Sequence, residues 1–131
     1  MSLLQRIFHR PAEPIGRRGE RLAAKWLRRR NYRILARNLP VVDDEADLVA
    51  LDPDGRTIVI VEVKTRAAEM PAPESSITRT KQFRLARLAS RLQQHKRYRD
   101  RRFRFDAIAI VWPDQQEPVI RHYPGAFDSP W

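Results

Sequence analysis

Three carboxylates and one lysine stand in two short segments of the chain, and their types and spacing suit metal-dependent chemistry. Glu45 and Asp47 lie in the first segment, and Glu62 and Lys64 lie in the second. Carboxylates bind Mg²⁺, and a bound Mg²⁺ or Mn²⁺ can activate a water molecule and polarise a phosphoryl oxygen. Lys64 could then stabilise the charge that develops on the phosphoryl group. These residues indicate a phosphodiesterase site if the fold brings them together.

Lysine at position 64 differs from most basic positions, since the chain has 22 arginines and four lysines. A lysine ammonium is a compact charge with a tunable pKa, whereas the arginine guanidinium is a larger planar group that stays charged. A catalytic role therefore favours lysine here. The alternative is that Lys64 only forms an ion pair with Glu62 at the end of a strand, because Glu-x-Lys is a short and common pattern.

A turn signal separates the two segments. Residues 46–52 and 57–65 have the apolar and β-branched composition of strands, and the Pro-Asp-Gly-Arg sequence between them is typical of a tight turn. The second segment is β-branched throughout residues 58–61, which indicates a strand covered on both faces. The two segments predict an antiparallel hairpin.

The register of this hairpin decides whether the site exists. If the two residues that flank the turn pair with each other, Asp47 faces Glu62 and Glu45 faces Lys64. Side chains alternate along a strand, so all four would then share one face of the sheet. A slip of one residue would separate them.

The remaining periodicities predict an α/β fold with a mixed central sheet flanked by helices, in the order αβββαβ with a fifth strand at the edge. A strand, a long helix and a further strand form a right-handed crossover, so the third and fourth strands should be parallel. We expect a flexible tail over residues 1–14 and a single domain over residues 15–128. The other predicted elements are helices at 15–30 and 77–99, strands at 32–37, 104–112 and 117–123, and a loop at 67–76.

Composition narrows the range of functions and partners. The net charge of +10 favours a polyanionic partner, nucleic acid above all, although an arginine-rich solvated surface would give the same count. The absence of cysteine excludes thiol chemistry and thiolate metal sites and fits a cytoplasmic protein. No apolar run approaches the roughly 20 residues that a membrane span needs, so we expect no membrane partner. The residues expected to contact nucleic acid are Arg17, Arg18, Arg66, Lys81 and Arg84.

Several short motifs together resemble a known family over roughly residues 16–128. They are Gly16-x-x-Gly19-Glu20, Arg37-Asn38, Glu45-Ala46-Asp47-Leu48-Val49-Ala50, Val61-Glu62-Val63-Lys64-Thr65-Arg66, Lys81, Phe105-Asp106 and His122-x-x-x-Ala126-Phe127. In these motifs the chain resembles the YraN family of uncharacterised bacterial proteins. That family is similar in pattern to archaeal Holliday-junction resolvases and belongs to the PD-(D/E)XK superfamily of nucleases, which have the restriction-endonuclease-like fold.

The resemblance implies roles for individual residues. Asp47 and Glu62 would be metal ligands, Lys64 the catalytic lysine, and Glu20 would reach the metal from the first helix. A solvated helix glutamate is the alternative for Glu20. Two departures bear on activity: Asp44 stands where relatives usually have glycine, and the Phe-Gly pair that often follows the lysine motif is missing.

Three functions are compatible with these observations. The leading hypothesis is a metal-dependent endonuclease that acts on DNA more readily than RNA, with a branched or otherwise structured form as one candidate substrate, and that could work as a homodimer. A non-catalytic nucleic-acid-binding module with the same fold is the alternative. A third is an adaptor whose arginines meet a protein partner. Outside this site, we expect Asp106 to be the buried partner of an arginine.

Overall fold

The computed structural model describes residues 15–41, 44–68 and 77–129. The predicted tail and most of the loop that precedes the second helix lie outside these ranges. The described elements are α1 (Ile15–Arg29), β1 (Arg33–Val41), β2 (Asp44–Leu51), β3 (Thr57–Arg66), α2 (Arg79–Gln94), a short 3-10 helix (Lys96–Tyr98), β4 (Arg102–Val111) and β5 (Val119–Phe127).

The five strands form one mixed sheet in the order β1-β2-β3-β4-β5. Strands β3 and β4 are parallel, and every other neighbouring pair is antiparallel. Because α2 connects β3 to β4, this is the crossover that the sequence predicts. The α/β class, the αβββαβ order and the edge position of the fifth strand are confirmed, and the architecture is consistent with a restriction-endonuclease-like core.

The hairpin closes in the predicted register. The backbone N–H of Asp52 donates to the carbonyl of Thr57 at 2.9 Å, and Leu48 pairs with Val61. Asp54 stabilises the turn because its carboxylate accepts hydrogen bonds from the backbone of Arg56 at 2.7 Å and from the Thr57 hydroxyl at 2.8 Å. This register directs Asp47 and Glu62 toward the same end of the hairpin.

Strand β3 is covered on both faces, as its β-branched run predicts. Val59 and Val61 pack with Leu27 of α1 in one core cluster. Ile58 and Ile60 belong to the opposite cluster together with residues of α2, among them Leu85 and Leu88. Side chains alternate along the strand, so Glu62 and Lys64 continue the face that α2 covers.

Both edge strands extend further than their apolar patterns indicate. Strand β1 runs to Val41 and includes Pro40, and β5 runs to Phe127 and includes Pro124. Proline is tolerated at a sheet edge, where the missing N–H need not join a ladder. The second helix, by contrast, ends before the predicted position: His95 has extended backbone angles and caps α2.

A buried polar network joins β4 to β5. Asp106 has a fully buried carboxylate that accepts hydrogen bonds from Arg104 Nε at 2.8 Å and from the Gly125 backbone at 3.0 Å. His122 Nε2 lies 2.7 Å from the same carboxylate. Asp106 is therefore the buried partner of an arginine, as the sequence predicts.

No helix in the described part of the chain is long and apolar enough to cross a membrane.

Candidate active site

The candidate site lies where the described ladder between β2 and β3 ends, next to the Leu48–Val61 pair. Beyond this pair, Oδ2 of Asp47 accepts a hydrogen bond of 2.8 Å from the backbone N–H of Val63. A side chain of β2 is thereby fixed against the backbone of β3, directly beside Glu62. Asp47 and Glu62 are close enough for the charge of Asp47 to raise the pKa of Glu62.

Glu62 is a buried carboxylate that is only partly satisfied. It is 5% exposed, and its Oε2 atom has no hydrogen-bond partner among the residues that the structure describes. Lys64 Nζ lies 3.5 Å from Oε1, and Lys81 Nζ lies 3.7 Å from Oε2. Burial, followed by the charge of Asp47, raises the pKa of Glu62 to about 7. The two lysines oppose this rise without cancelling it.

The pKa of Asp47 is raised as well, chiefly because its carboxylate is buried. The Val63 N–H, Lys81 and Lys64 each favour the ionised form and limit the rise. Two neighbouring carboxylates are thus held where ionisation costs free energy. A divalent cation would reverse that cost, since it favours the charged form of both groups.

Glu20 and Glu45 lie at the margin of this pair. Glu45 is exposed on β2, and its charge contributes to the raised pKa of both Asp47 and Glu20. Burial is the largest cause of the raised pKa of Glu20, the charge of Asp47 is the second, and a side-chain hydrogen bond with Asn38 opposes them. Helix α1 therefore brings Glu20 into electrostatic contact with Asp47.

Gly19 allows α1 to pack closely against β3. A Cβ atom at position 19 would overlap the hydroxyl oxygen of Thr65 on β3. The preceding glycine differs, because a Cβ at Gly16 would meet no described atom within 4 Å. The sequence carries a signal for this contact, since glycine inside a helix costs roughly 1 kcal/mol and needs a compensating reason.

Asn38 is a site residue to which the sequence alone assigns no role. It has a positive φ of 46° and lies between two ladder pairs, Arg37 with Leu48 and Leu39 with Ala46. That register places Asn38 opposite Asp47. Asparagine adopts the left-handed region more readily than other residues with a side chain. The local backbone thus brings an amide group to the carboxylate of Glu20.

The predicted nucleic-acid-binding residues fall in different places. Arg17 is close enough to Glu20 to lower its pKa, and the Arg18 guanidinium lies 4.2 Å from the centre of the Trp112 ring. Arg66 and Arg84 are exposed. Lys81 is directed into the acidic pair and contacts Glu62.

The donor set fits a hard divalent cation. In residues 15–41, 44–68 and 77–129, no three acidic or histidine side chains already form a metal-binding group. Asp47 and Glu62 nevertheless offer neighbouring carboxylate oxygens, one of which is buried without a hydrogen-bond partner in the described part of the chain. Mg²⁺ commonly takes one or two carboxylates and completes its shell with water and substrate phosphate, so two protein ligands suffice. The side chain of Asp44, which replaces the usual glycine, lies outside the described residues.

The sequence model of the family described as "Uncharacterised protein family UPF0102" matches residues 19–110. The chain belongs to the UPF0102 family. A UPF0102 protein of Rhodopirellula baltica is 38% identical over 118 residues, which cover 88% of this chain and 71% of the relative. UPF0102 proteins of Geobacter metallireducens and Geobacter sulfurreducens are 40% and 41% identical over 115 residues, covering 87% of this chain and 92% and 88% of those proteins. The range matched to UPF0102 includes Glu20, Asp47, Glu62 and Lys64.

Proposed function

We propose that the protein is a metal-dependent endonuclease that acts on DNA, with Asp47, Glu62 and Lys64 as its catalytic residues. The observation that carries this proposal is the pairing of the buried Glu62 carboxylate with the half-buried Asp47 carboxylate, both with raised pKa values, beside Lys64. A carboxylate is costly to bury when one of its oxygens lacks a hydrogen-bond partner, as Oε2 of Glu62 does among the described residues, and such sites are typical of functional positions.

Asp47 and Glu62 would hold Mg²⁺ or Mn²⁺, with Glu20 and Glu45 able to contribute directly or through water. When bound, the metal lowers the pKa of a coordinated water and polarises a phosphoryl oxygen. The Val63 N–H keeps the Asp47 carboxylate on the β3 side of the site. Lys64 Nζ lies 3.5 Å from Glu62 Oε1, beside the metal site. From this position the ammonium group would stabilise the negative charge that develops on the phosphoryl group.

Charge supports DNA as the substrate class. The net charge of +10 favours a polyanionic partner. Arginines of α1 and α2 are exposed on the helices, and some of them lie near the acidic pair. The resemblance to resolvase-like nucleases adds DNA rather than RNA, in a branched or otherwise structured form. A homodimer and a cytoplasmic location belong to the same proposal. Sedimentation at tens of micromolar protein, with and without DNA, tests the dimer.

A non-catalytic DNA-binding module is the second candidate, and one observation favours it. Glu62 already has two ammonium groups within 4 Å, from Lys64 and Lys81. Such an arrangement neutralises the carboxylate without a metal. Under this alternative the acidic pair and the lysines stabilise the junction of β2, β3 and α2 and do no hydrolysis.

A cleavage assay separates the two candidates. Labelled single-stranded, duplex and branched DNA are incubated with Mg²⁺ or Mn²⁺ and with wild type, Asp47→Ala, Glu62→Ala or Lys64→Arg. The endonuclease proposal expects cleavage by wild type, no cleavage by Asp47→Ala or Glu62→Ala, a large loss of rate in Lys64→Arg, and DNA binding retained in all variants. Equal cleavage by all four proteins would indicate a contaminant. Absence of cleavage by wild type on every substrate would favour the binding module.

A further inference from the structure

A small basic cavity lies between α1 and β1. Its volume is about 170 Å³, whereas a water molecule takes about 30 Å³ of liquid. Helix α1 and strand β1 both contribute to its lining, which consists of Arg17, Glu20, Arg21, Arg37 and Asn38. Three of the five described side chains that line it are arginines, so an anion would be the natural occupant.

The cavity adjoins the acidic pair through Glu20 and Asn38. The charges of Asp47 and Glu45 raise the pKa of Glu20, and the Asn38 amide is hydrogen-bonded to the Glu20 carboxylate. Asn38 also lies opposite Asp47 in the β1–β2 register. An anion in the cavity and a group held by Asp47 would therefore be neighbours, with Glu20 between them.

Arg37 is the member of the cavity best placed to serve a ligand. It is exposed, and none of the acidic side chains that the structure describes forms an ion pair with it. A guanidinium presents paired N–H donors that match two oxygens of a phosphate. Arg17 lies on α1, on the other side of the cavity, and its charge lowers the pKa of Glu20. One arginine from α1 and one from β1 therefore line the cavity.

We infer that this cavity is a phosphate-binding subsite, in which Arg37 and Arg17 hold a DNA backbone phosphate adjacent to the one at the acidic pair. The inference rests on the proposed function for its ligand and extends that function by a defined contact. The negative charge of Glu20 repels a phosphate that comes close to it. The phosphate therefore binds at the arginine side of the cavity.

The test measures binding of uncut, fluorescently labelled DNA in EDTA, so that it does not depend on hydrolysis. Arg37→Gln is compared with wild type and with Arg33→Gln, a matched control. Arg33 is an exposed arginine of the same strand and pairs with Leu51 at the opposite end of the ladder. Thermal melting confirms that all three proteins are folded. Each protein is titrated at several salt concentrations, and single methylphosphonates are scanned along the DNA to remove one phosphate charge at a time.

The subsite predicts that Arg37→Gln reduces the slope of log affinity against log salt by about 0.9 on duplex, whereas Arg33→Gln leaves it unchanged. At one position of the scan, the methylphosphonate should weaken wild-type binding about ten-fold and leave Arg37→Gln unaffected. Equal slopes and equal scans for wild type and Arg37→Gln would overturn the subsite, even if the protein cleaves DNA. The expected differences in a protein that cleaves no DNA would leave the subsite standing and overturn only the hydrolytic proposal. Wild type that binds no DNA would contradict both.

Discussion

Oδ2 of Asp47 accepts a 2.8 Å hydrogen bond from the backbone N–H of Val63, where the ladder between β2 and β3 ends. A carboxylate on one strand thus uses a donor of the next strand, immediately beside Glu62. The hydrogen bond stabilises the ionised form of Asp47 and fixes its position. The same arrangement makes Glu62 difficult to ionise, which gives the site measurable consequences even before any DNA is added.

Stability without metal should decrease as pH rises, and Glu62 should be a main cause. Its pKa is about 7 in the native protein against an ordinary value of 4.5, so the native state binds this proton more tightly than the unfolded state. The resulting stability is fully present below pH 4.5 and is lost as pH rises through 7. Between pH 6 and 8 in EDTA, we expect wild type to lose about 1 to 2 kcal/mol more than Glu62→Gln. Urea unfolding at both pH values measures this change in the free energy of unfolding. Equal pH dependence in the two proteins would contradict the raised pKa of Glu62.

A divalent metal should stabilise the wild-type protein through Asp47 and Glu62. Mg²⁺ or Mn²⁺ at about 100 times its dissociation constant should add about 2.7 kcal/mol, because the metal binds the native state. Asp47→Asn should remove this gain, while Asp114→Asn, an exposed carboxylate between β4 and β5, should keep it. Thermal melting across a metal titration provides the measurement. A gain of equal size in Asp47→Asn would place the metal elsewhere.

The close approach of α1 to β3 should depend on Gly19. Gly19→Ala introduces a methyl group onto the Thr65 hydroxyl, and overpacking of this kind costs roughly 1–3 kcal/mol. The shift of α1 should also displace Glu20 and lower any metal-dependent cleavage. Gly16→Ala is the matched control, because its methyl group would contact none of the residues that the structure describes. Urea unfolding compares the two variants, and equal stability would show that the contact has no energetic role.

The buried network around Asp106 should contribute stability independently of the site. Asp106→Asn removes the charge that Arg104 and His122 contact, and loss of one member of a buried ion pair costs roughly 3 kcal/mol. Arg104 keeps its other partner, Asp52, at 2.8 Å, which limits the cost. Asp114→Asn should change the free energy of unfolding by less than about 0.5 kcal/mol. A similar small change in Asp106→Asn would contradict the structural role.

The sequence predicts the hairpin correctly because its turn has strong local chemistry. The Asp54 carboxylate caps the backbone of the turn, and Gly55 supplies a positive φ of 72°. Once the turn is placed, alternation fixes the register from Leu48 to Leu51. The double coverage of β3 follows in the same way from its β-branched residues, since such a run is typical of a buried strand.

Contacts between elements distant in sequence could not be predicted in this way. Lys81 contacts Glu62 because α2 packs across β3, and no local pattern gives the angle of that packing. The positive φ of Asn38 and its hydrogen bond to Glu20 depend on how β1 meets α1. The prolines in β1 and β5 shorten the predicted strands, because proline opposes strand structure except at an edge.

The most direct measurement of the central claim is single-turnover cleavage of labelled DNA with Mg²⁺ or Mn²⁺, recorded beside DNA affinity for the same proteins. Wild type and Asp114→Asn should cleave at equal rates. Glu62→Gln should lose cleavage by at least about 100-fold and bind DNA at least as well as wild type, because a carboxylate that repels phosphate has become neutral. Cleavage by Glu62→Gln at the wild-type rate, with wild type itself active, would contradict the assignment of Asp47, Glu62 and Lys64 as the catalytic site.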